Sequence, residues 1–406
     1  MANNKGVLPV LFVTMLIDMV GISMLIPILP VIFTEPSSPA FMLAGWSTEA
    51  QYTIAGLLTA LFGFVQFIAS PVLGELSDVY GRKRLITLGV AVLALSQLVF
   101  GLGIAVGSLA VLFVSRAIAG VAASNFSIAQ ATIADVTEPH DRARNFGLIG
   151  AAVGLAFILG PFLGGTIAGL SGNAALPFFV AAGLGIVNVI LVSTFLKETH
   201  HVRAEKRRIT PLKAVNNIRA ALKDHDARPV YAAGFLAMLG FAFYTSFIAI
   251  LLAARFGFTE TMTGTYFAIA GGWIIFAQVV VVRTLAKIYS DRTRLLIALP
   301  TLAVIIVAIP LVHASHWLYV FMPFLSSAFA LVTTGVPSLV SKGVGPERQG
   351  AALGINGSLQ ALAQASAPLV AGFASGFLGL TAAFVIGAGC MLASFLIIVK
   401  RVARRT

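Results

Sequence analysis

Apolar residues in this chain gather into long uninterrupted stretches, and the short segments between them hold nearly all of the charge. An α-helix of about 20 residues spans the ~30 Å hydrocarbon core of a bilayer. Stretches of that length fall near 8–31, 52–73, 85–105, 107–134, 146–169 and 175–196, then near 229–253, 263–285, 295–312, 317–340, 353–378 and 381–399. The pattern predicts an all-α integral membrane protein with twelve transmembrane helices. The first stretch is too long for a cleavable signal peptide and further spans follow it, so it is expected to be a span.

Composition agrees with this. Of 406 residues, 58% are hydrophobic and 10% charged, far more apolar than a soluble domain. The net charge of +12 raises the question of a nucleic-acid partner, and the placement of the bases answers it. Of the 27 lysines and arginines, all except Arg116 and Arg255 fall on one side if there are twelve spans. By the positive-inside rule that side is the cytoplasm, so both termini and the central basic segment are expected there, with the protein in the cell membrane, the inner one if the source is bacterial. The basic excess is topological and calls for no nucleic acid. A lone Cys390 inside an apolar span excludes an internal disulfide.

The basic segment 197–228 divides the spans six and six. Displacing one half on the other by 207 residues pairs Gly147 with Gly354, Gly150 with Gly357, Pro161 with Pro368, Gly165 with Gly372 and Gly169 with Gly376. The expected organisation is two pseudo-symmetric six-helix bundles, 1–196 and 229–406, joined by a cytoplasmic linker, 197–228. Duplicated halves around a central site are the architecture of secondary transporters.

Two ionisable residues lie deep in spans. Asp18 is in the middle of the first, where an aspartate costs roughly 2.5–3.5 kcal/mol on insertion scales. Desolvation penalises the charged form, which equips such a group to exchange a proton unless a cation holds it ionised. The alternative is a structural polar contact with a neighbouring helix. Arg116, in the fourth span, either compensates Asp18, directly or through water, or snorkels to a surface.

The segment Gly74-Glu-Leu-Ser-Asp78-Val-Tyr-Gly81-Arg82-Lys83-Arg84 places two glycines, one acid and three bases at fixed offsets between spans 2 and 3. It is expected to be a loop with a conformational role. Span 5 carries Gly154, Gly160-Pro161 and Gly164-Gly165, which remove side chains about once per turn and predict a hinge or a seal between helices, or plain close packing. Asn125, Gln130, Gln278, Asn356, Gln360 and Gln364 are uncharged hydrogen-bonding groups within spans. Phe241 and Tyr244, with Phe235, Phe243, Phe247 and Trp273, add aromatic surface. A cavity lined this way suits a bulky, partly apolar solute, although helix bridging and packing explain many of these residues too. No phosphate loop, paired His/Cys spacing or nucleophile elbow is present in the sequence, so no enzyme chemistry, metal or cofactor is expected.

These residues resemble the major facilitator superfamily over nearly the whole chain, and within it the twelve-span drug/proton antiporters, nearest to tetracycline-efflux-type transporters. Gly74, Asp78, Gly81, Arg82 and Lys83 match the superfamily signature after span 2. Leu112, Arg116 and Gly120 resemble the span 4 motif, with Ala119 in place of its usual glutamine. Gly147, Gly160, Pro161, Gly164 and Gly165 resemble the antiporter motif of span 5, with Ala156 where a glycine is usual. Gly21, Pro27 and Pro30 have the spacing of the span 1 motif, and the Arg116 to Asp135 spacing, Arg142-Ala-Arg144-Asn-Phe-Gly147 and Glu347-Arg-Gln-Gly350 are tetracycline-type. One departure is Ser96, with Gln97 beside it, where that group carries a span 3 acid.

The resemblance implies a monomeric proton-coupled exporter of a small amphipathic solute, its partners being that solute, protons and membrane lipid. Asp18 and Arg116 would serve coupling. A gating set would comprise Gly74, Asp78, Gly81, Arg82, Lys83, Asp135, Arg142, Gly160 and Pro161, with Arg82 paired to Asp135 and Asp78 near the start of span 11 in an outward-open state. The alternative on the same fold is a metabolite, sugar or lipid transporter.

Overall fold

The computed structural model describes residues 6–137, 142–199, 213–223, 227–342 and 349–403. Twelve long helices follow one another among them: α1 (Val7–Phe33), α2 (Thr48–Tyr80), α3 (Arg82–Ala105), α4 (Leu109–Val136), α5 (Arg142–Ser171), α6 (Leu176–Phe195), α7 (Arg228–Phe256), α8 (Glu260–Ile288), α9 (Asp291–Ala308), α10 (His316–Lys342), α11 (Gln349–Leu378) and α12 (Thr381–Ala403). A short helix, Lys213–Lys223, lies between α6 and α7. Eleven of the twelve are long and apolar enough to cross a membrane. The exception, α9, has 18 residues and opens on Asp291, Arg292 and Arg294, which leaves its apolar stretch short.

Breaks inside helices have local causes. Pro27 has no N–H to offer the carbonyl of Ser23 and its ring crowds that turn, so α1 is interrupted at Met24. The Ser23 hydroxyl donates to the Met19 carbonyl at 2.7 Å and to Ala156 of α5 at 3.1 Å. In α4 the interruption falls at Ala123 and Ser124, where Gln66 of α2 donates to the Ala123 carbonyl at 3.3 Å. Low-dielectric surroundings demand such partners for every freed backbone group. Further along, α8 widens into a π turn over Ala277–Val281.

The expected loop after span 2 is not a loop. Glu75, Ser77 and Asp78 continue α2, whose 33 residues outrun the membrane, and α3 begins at Arg82. Only Gly81 breaks the helical path, with φ of 96° and ψ of 144°, a backbone region closed to side-chain-bearing residues.

Packing divides the described residues into two compact units. One gathers those of 1–44, 64–213 and 258–268, the other those of 45–63, 214–257 and 269–406. The first half of α2 thus belongs with the second unit and the first turns of α8 with the first.

Glycines make both associations. Within the first unit, a Cβ at Gly264 of α8 would lie 2.5 Å from the Pro161 carbonyl, and one at Gly165 would collide with that of Glu260. Within the second, Cβ atoms at Gly372 and Gly376 would stand 2.9 and 2.8 Å from the carbonyls of Tyr52 and Glu49. Pro161, Gly165 and Gly169 repeat as Pro368, Gly372 and Gly376, and their partners repeat as well, Tyr52 with Glu260, Thr53 with Thr261 and Gly56 with Gly264. The sequence repeat is therefore a repeat of backbone-to-backbone contacts, at the helix ends away from the basic segments. The same run receives the kink of α1, since a Cβ at Gly164 would lie 2.7 Å from the Met24 carbonyl.

Gly165→Ala is expected to destabilise the protein by about 1–3 kcal/mol, because a methyl group must displace a carbonyl-lined backbone. Gly154→Ala, which meets nothing within 4 Å, is expected to be neutral or slightly stabilising. Thermal unfolding of the two variants in one detergent distinguishes them.

Candidate functional site

Asp18 sits in the first unit on α1, 4% exposed, and neighbouring helices deliver amide donors to its two oxygens. Asn188 of α6 donates to Oδ1 at 3.0 Å and Asn125 of α4 to Oδ2 at 3.4 Å. Hydrogen bonds to a charged group contribute about 1.5–3 kcal/mol each, enough for two to offset the insertion penalty. Asn125 follows directly on the break in α4. Its amide fits because Gly89 of α3 has no side chain, and a Cβ there would lie 2.6 Å from the Asn125 Cγ. Asn188 also donates to the Thr14 carbonyl at 3.2 Å, which anchors the clamp to the turn above Asp18.

Arg116 does not snorkel. It is 2% exposed, and its guanidinium carbon lies 4.3 Å from the centroid of the Phe100 ring, which in turn packs on Phe178 at 4.5 Å. Such a cation–π contact strengthens when desolvated. Arg116 Nη2 donates to Gln97 Oε1 at 3.4 Å. Gln97 of α3 is itself 2% exposed, and its Nε2 meets no hydrogen-bond acceptor. Beside it lies a cavity of about the size of one water, walled by Asp18, Ile17, Gly21, Gln97 and Ala181 among others. Gln97 and this cavity thus lie between the acid and the base.

At the junction of α2 and α3, Arg82 is 5% exposed and gathers its neighbours. Its Nε lies 3.0 Å from Asp135 at the end of α4 and its Nη2 2.5 Å from Asp78. Nη1 donates to Ser77 and, at 3.5 Å, to the Gly74 carbonyl. Glu198, just past α6, closes the corner. Its carboxylate accepts from the backbone N–H of Arg82 at 2.9 Å and of Lys83 at 3.2 Å, capping the positive N-terminus of α3. A Cβ at position 81 would stand 2.5 Å from that carboxylate, a second demand for glycine.

The second unit holds a counterpart of opposite sign. Asp291, at the start of α9, lies 2.5 Å from Lys342 at the end of α10, accepts from Ser338 at 2.5 Å and pairs with Arg294. An acid has replaced the base at the start of one helix, and a base the acid at the end of the next.

The remaining sequence-selected residues are dispersed. Gln130 is exposed. Gln278 sits in the π turn and donates to Thr333 at 3.4 Å. Asn356 is 4% exposed beside Gly234, Gln360 is half-buried and Gln364 exposed one turn further along α11. Phe241 stacks on Phe329 at 3.7 Å and lies 5.5 Å from Tyr244, whose ring stands edge-on to Phe384. Asn125, grouped by sequence with solute-facing residues, is hydrogen-bonded to Asp18. Gly160 faces Ser23, and Pro161 lies in the α5–α8 contact. Arg142 opens α5, its side chain outside the described residues, as are Glu347 and Arg348 and half of the linker.

Sequence reading missed Asn188 and Glu198. The only polar residue bearing an amide in α6 is Asn188, and that isolation was the available signal. Glu198 looked like one more linker charge. Among the described residues no cluster of three metal-ligating side chains occurs.

The fold and these motifs define a secondary-transporter architecture, and comparison with known proteins places it. The Major Facilitator Superfamily profile matches residues 11–368, and the chain belongs to that superfamily of membrane transporters. It is 30% identical over 301 residues to the tetracycline resistance protein, class H, of Pasteurella multocida, covering 73% of this chain and 70% of that one. It is 27% identical over 375 residues to multidrug resistance protein 2 of Bacillus subtilis, covering 91% and 89%. Among solved structures, the human organic anion transporter MFSD10 superposes with a TM-score of 0.71 at 24% identity, covering 98% and 100%.

Asn188→Leu is expected to lower stability by about 2 kcal/mol, since it strips a donor from a buried carboxylate. The same change in an Asp18→Asn background is expected to cost less, because no charge is then stranded. A double-mutant cycle by thermal unfolding measures the difference. Glu198→Ala is expected to cost about 1 kcal/mol through the lost cap of α3, with Glu198→Gln in between.

Proposed function

We propose that this protein is a proton-coupled exporter that moves a small amphipathic solute out of the cytoplasm by alternating access. The observation that carries the reading is Asp18, a carboxyl buried at the middle of α1 between two amides and a water-sized cavity. Structural contacts alone rarely retain an acid at that depth. Resistance to tetracycline and to multiple drugs in the named relatives supports export of a drug-like solute.

In this reading Asp18 exchanges the proton and Arg116 modulates it. Gln130, Gln278, Asn356, Gln360, Gln364, Phe241 and Tyr244 face the solute, with Asn125 shared between solute and acid. The absence of a span 3 acid at Ser96 directs preference away from a metal-chelated tetracycline cation, which would lose a carboxylate there. Gly160 and Pro161 keep the outer side sealed while α5 lies on α8. On the cytoplasmic side Gly74, Asp78, Gly81, Arg82, Lys83, Asp135 and Arg142 hold the gate. Each partly buried ion pair there contributes on the order of 1 kcal/mol, which suits states separated by a few. Both termini and the linker 197–228 face the cytoplasm, the halves 1–196 and 229–406 act as the two moving bodies, and the monomer is the working unit.

The test is transport in proteoliposomes under an imposed pH gradient, with tetracycline and the lipophilic cation ethidium as probes. Wild type is expected to move protons on addition of a transported probe, and Asp18→Asn to lose that movement. Proton flux that persists unchanged in Asp18→Asn would remove Asp18 from the mechanism. A wild type in which neither probe moves protons would count against drug/proton antiport itself.

A further inference from the structure

Gln97 occupies a position that neither packing nor backbone satisfaction explains. Its amide orientation is fixed, because the Arg116 guanidinium can only donate and therefore selects Oε1. That choice turns Nε2 toward the Asp18 side of α1, where a Cβ on Gly21 would lie 3.2 Å away. The amino group is buried and has no acceptor, a state that costs about as much as a lost hydrogen bond and is uncommon in native proteins. A cavity at its side is shared with Asp18 and is of water size. The rest of the cavity wall is apolar, from Ile17, Val90, Leu93 and Ala181.

We propose that this cavity is a bound-water site and that Gln97 is a positioning residue which links Arg116 to Asp18 through that water. The water accepts from Gln97 Nε2 and donates to the carboxylate of Asp18. The glutamine amide then lies between a buried cation and a buried anion with its dipole aligned to both, its oxygen on Arg116 and its amino group toward Asp18. Gly21 is part of the device, since a side chain there would press on Nε2 and fill the space. No other charge competes. Among the described residues, α6 carries no ionisable side chain, α5 none beyond its first turn, α3 none beyond Arg84, and α4 only Arg116 and, near its end, Asp135.

The inference rests on the reading of Asp18 as the proton-exchanging acid, and the experiment separates the two. Protonated carboxyl groups in apolar surroundings give an infrared C=O band distinct from ionised ones, so the purified protein in lipid can be titrated with no solute present. The band lost in Asp18→Asn identifies Asp18. In Gln97→Leu, which keeps the volume and removes both amide contacts, the midpoint of that band is expected to move to higher pH by about one unit, a tenfold change in proton affinity. Gln97→Glu, whose carboxylate still accepts from Arg116 but adds negative charge beside Asp18, is expected to move it the same way. A midpoint unmoved in both variants overturns the role of Gln97 while leaving Asp18 as the acid. A band unaffected by Asp18→Asn overturns the parent reading. A glutamine that merely packs would lower thermal stability in Gln97→Leu without moving the midpoint.

Discussion

A carboxylate inside hydrocarbon must be supplied with hydrogen-bond donors, and the first unit is arranged around that requirement at Asp18. The break in α4 exists beside it, so that Asn125 can enter from the first turn after the interruption. Gly89 exists opposite, because any side chain there would strike the amide. Asn188 arrives from α6 and is itself steadied by the Thr14 carbonyl. Three helices are thereby committed to one side chain, and their packing follows from serving it. An apolar residue at position 18 would remove the need for all of these features.

The glycine contacts answer a different constraint. Lipid offers no hydrophobic drive for one apolar helix to leave it for another, so association depends on close packing. Backbone carbonyls at contact distance across α5 and α8, and across α2 and α11, supply that closeness without strong side-chain interactions. Dispersion between well-fitted surfaces is lost quickly once they separate. Contacts of this kind are tight when formed and leave no buried charge behind when broken.

Much of this was legible in the sequence, for physical reasons that differ by feature. Span lengths follow from bilayer thickness, and the spacing of Pro161, Gly165 and Gly169 could be matched to Pro368, Gly372 and Gly376 because close backbone approach tolerates little but small residues. Asp18 and Arg116 were conspicuous by the cost of their burial. The clamp was less visible, since an asparagine such as Asn188 carries no charge and its role depends on which helix face meets α1. The segment after α2 was misread as a loop because polar residues there mimic a connector, when only Gly81 has a non-helical backbone. Glu198 was invisible for a similar reason. A cap that reaches across 115 or more residues of sequence leaves no local pattern.

Duplication has preserved places more faithfully than residues. Arg82 with Asp135 and Asp291 with Lys342 tie the start of one helix to the end of the next in each half, with the charges exchanged. Attraction is indifferent to that exchange, so the geometry of the tie is the inherited element. The caps diverge further. At the start of α9, Ser290 caps its own helix by accepting from the Thr293 N–H at 3.2 Å. The equivalent place before α3 holds Gly81, which has no side chain to offer, and the cap is delivered by Glu198 at the entrance to the linker. The start of α9 is therefore self-sufficient, whereas the start of α3 depends on where the chain leaving α6 lies. A displacement of that chain removes two acceptors from the N-terminus of α3, one from Lys83 and one from Arg82, which also holds Asp78 and Asp135. The start of α3 is thus wired to the entrance of the linker.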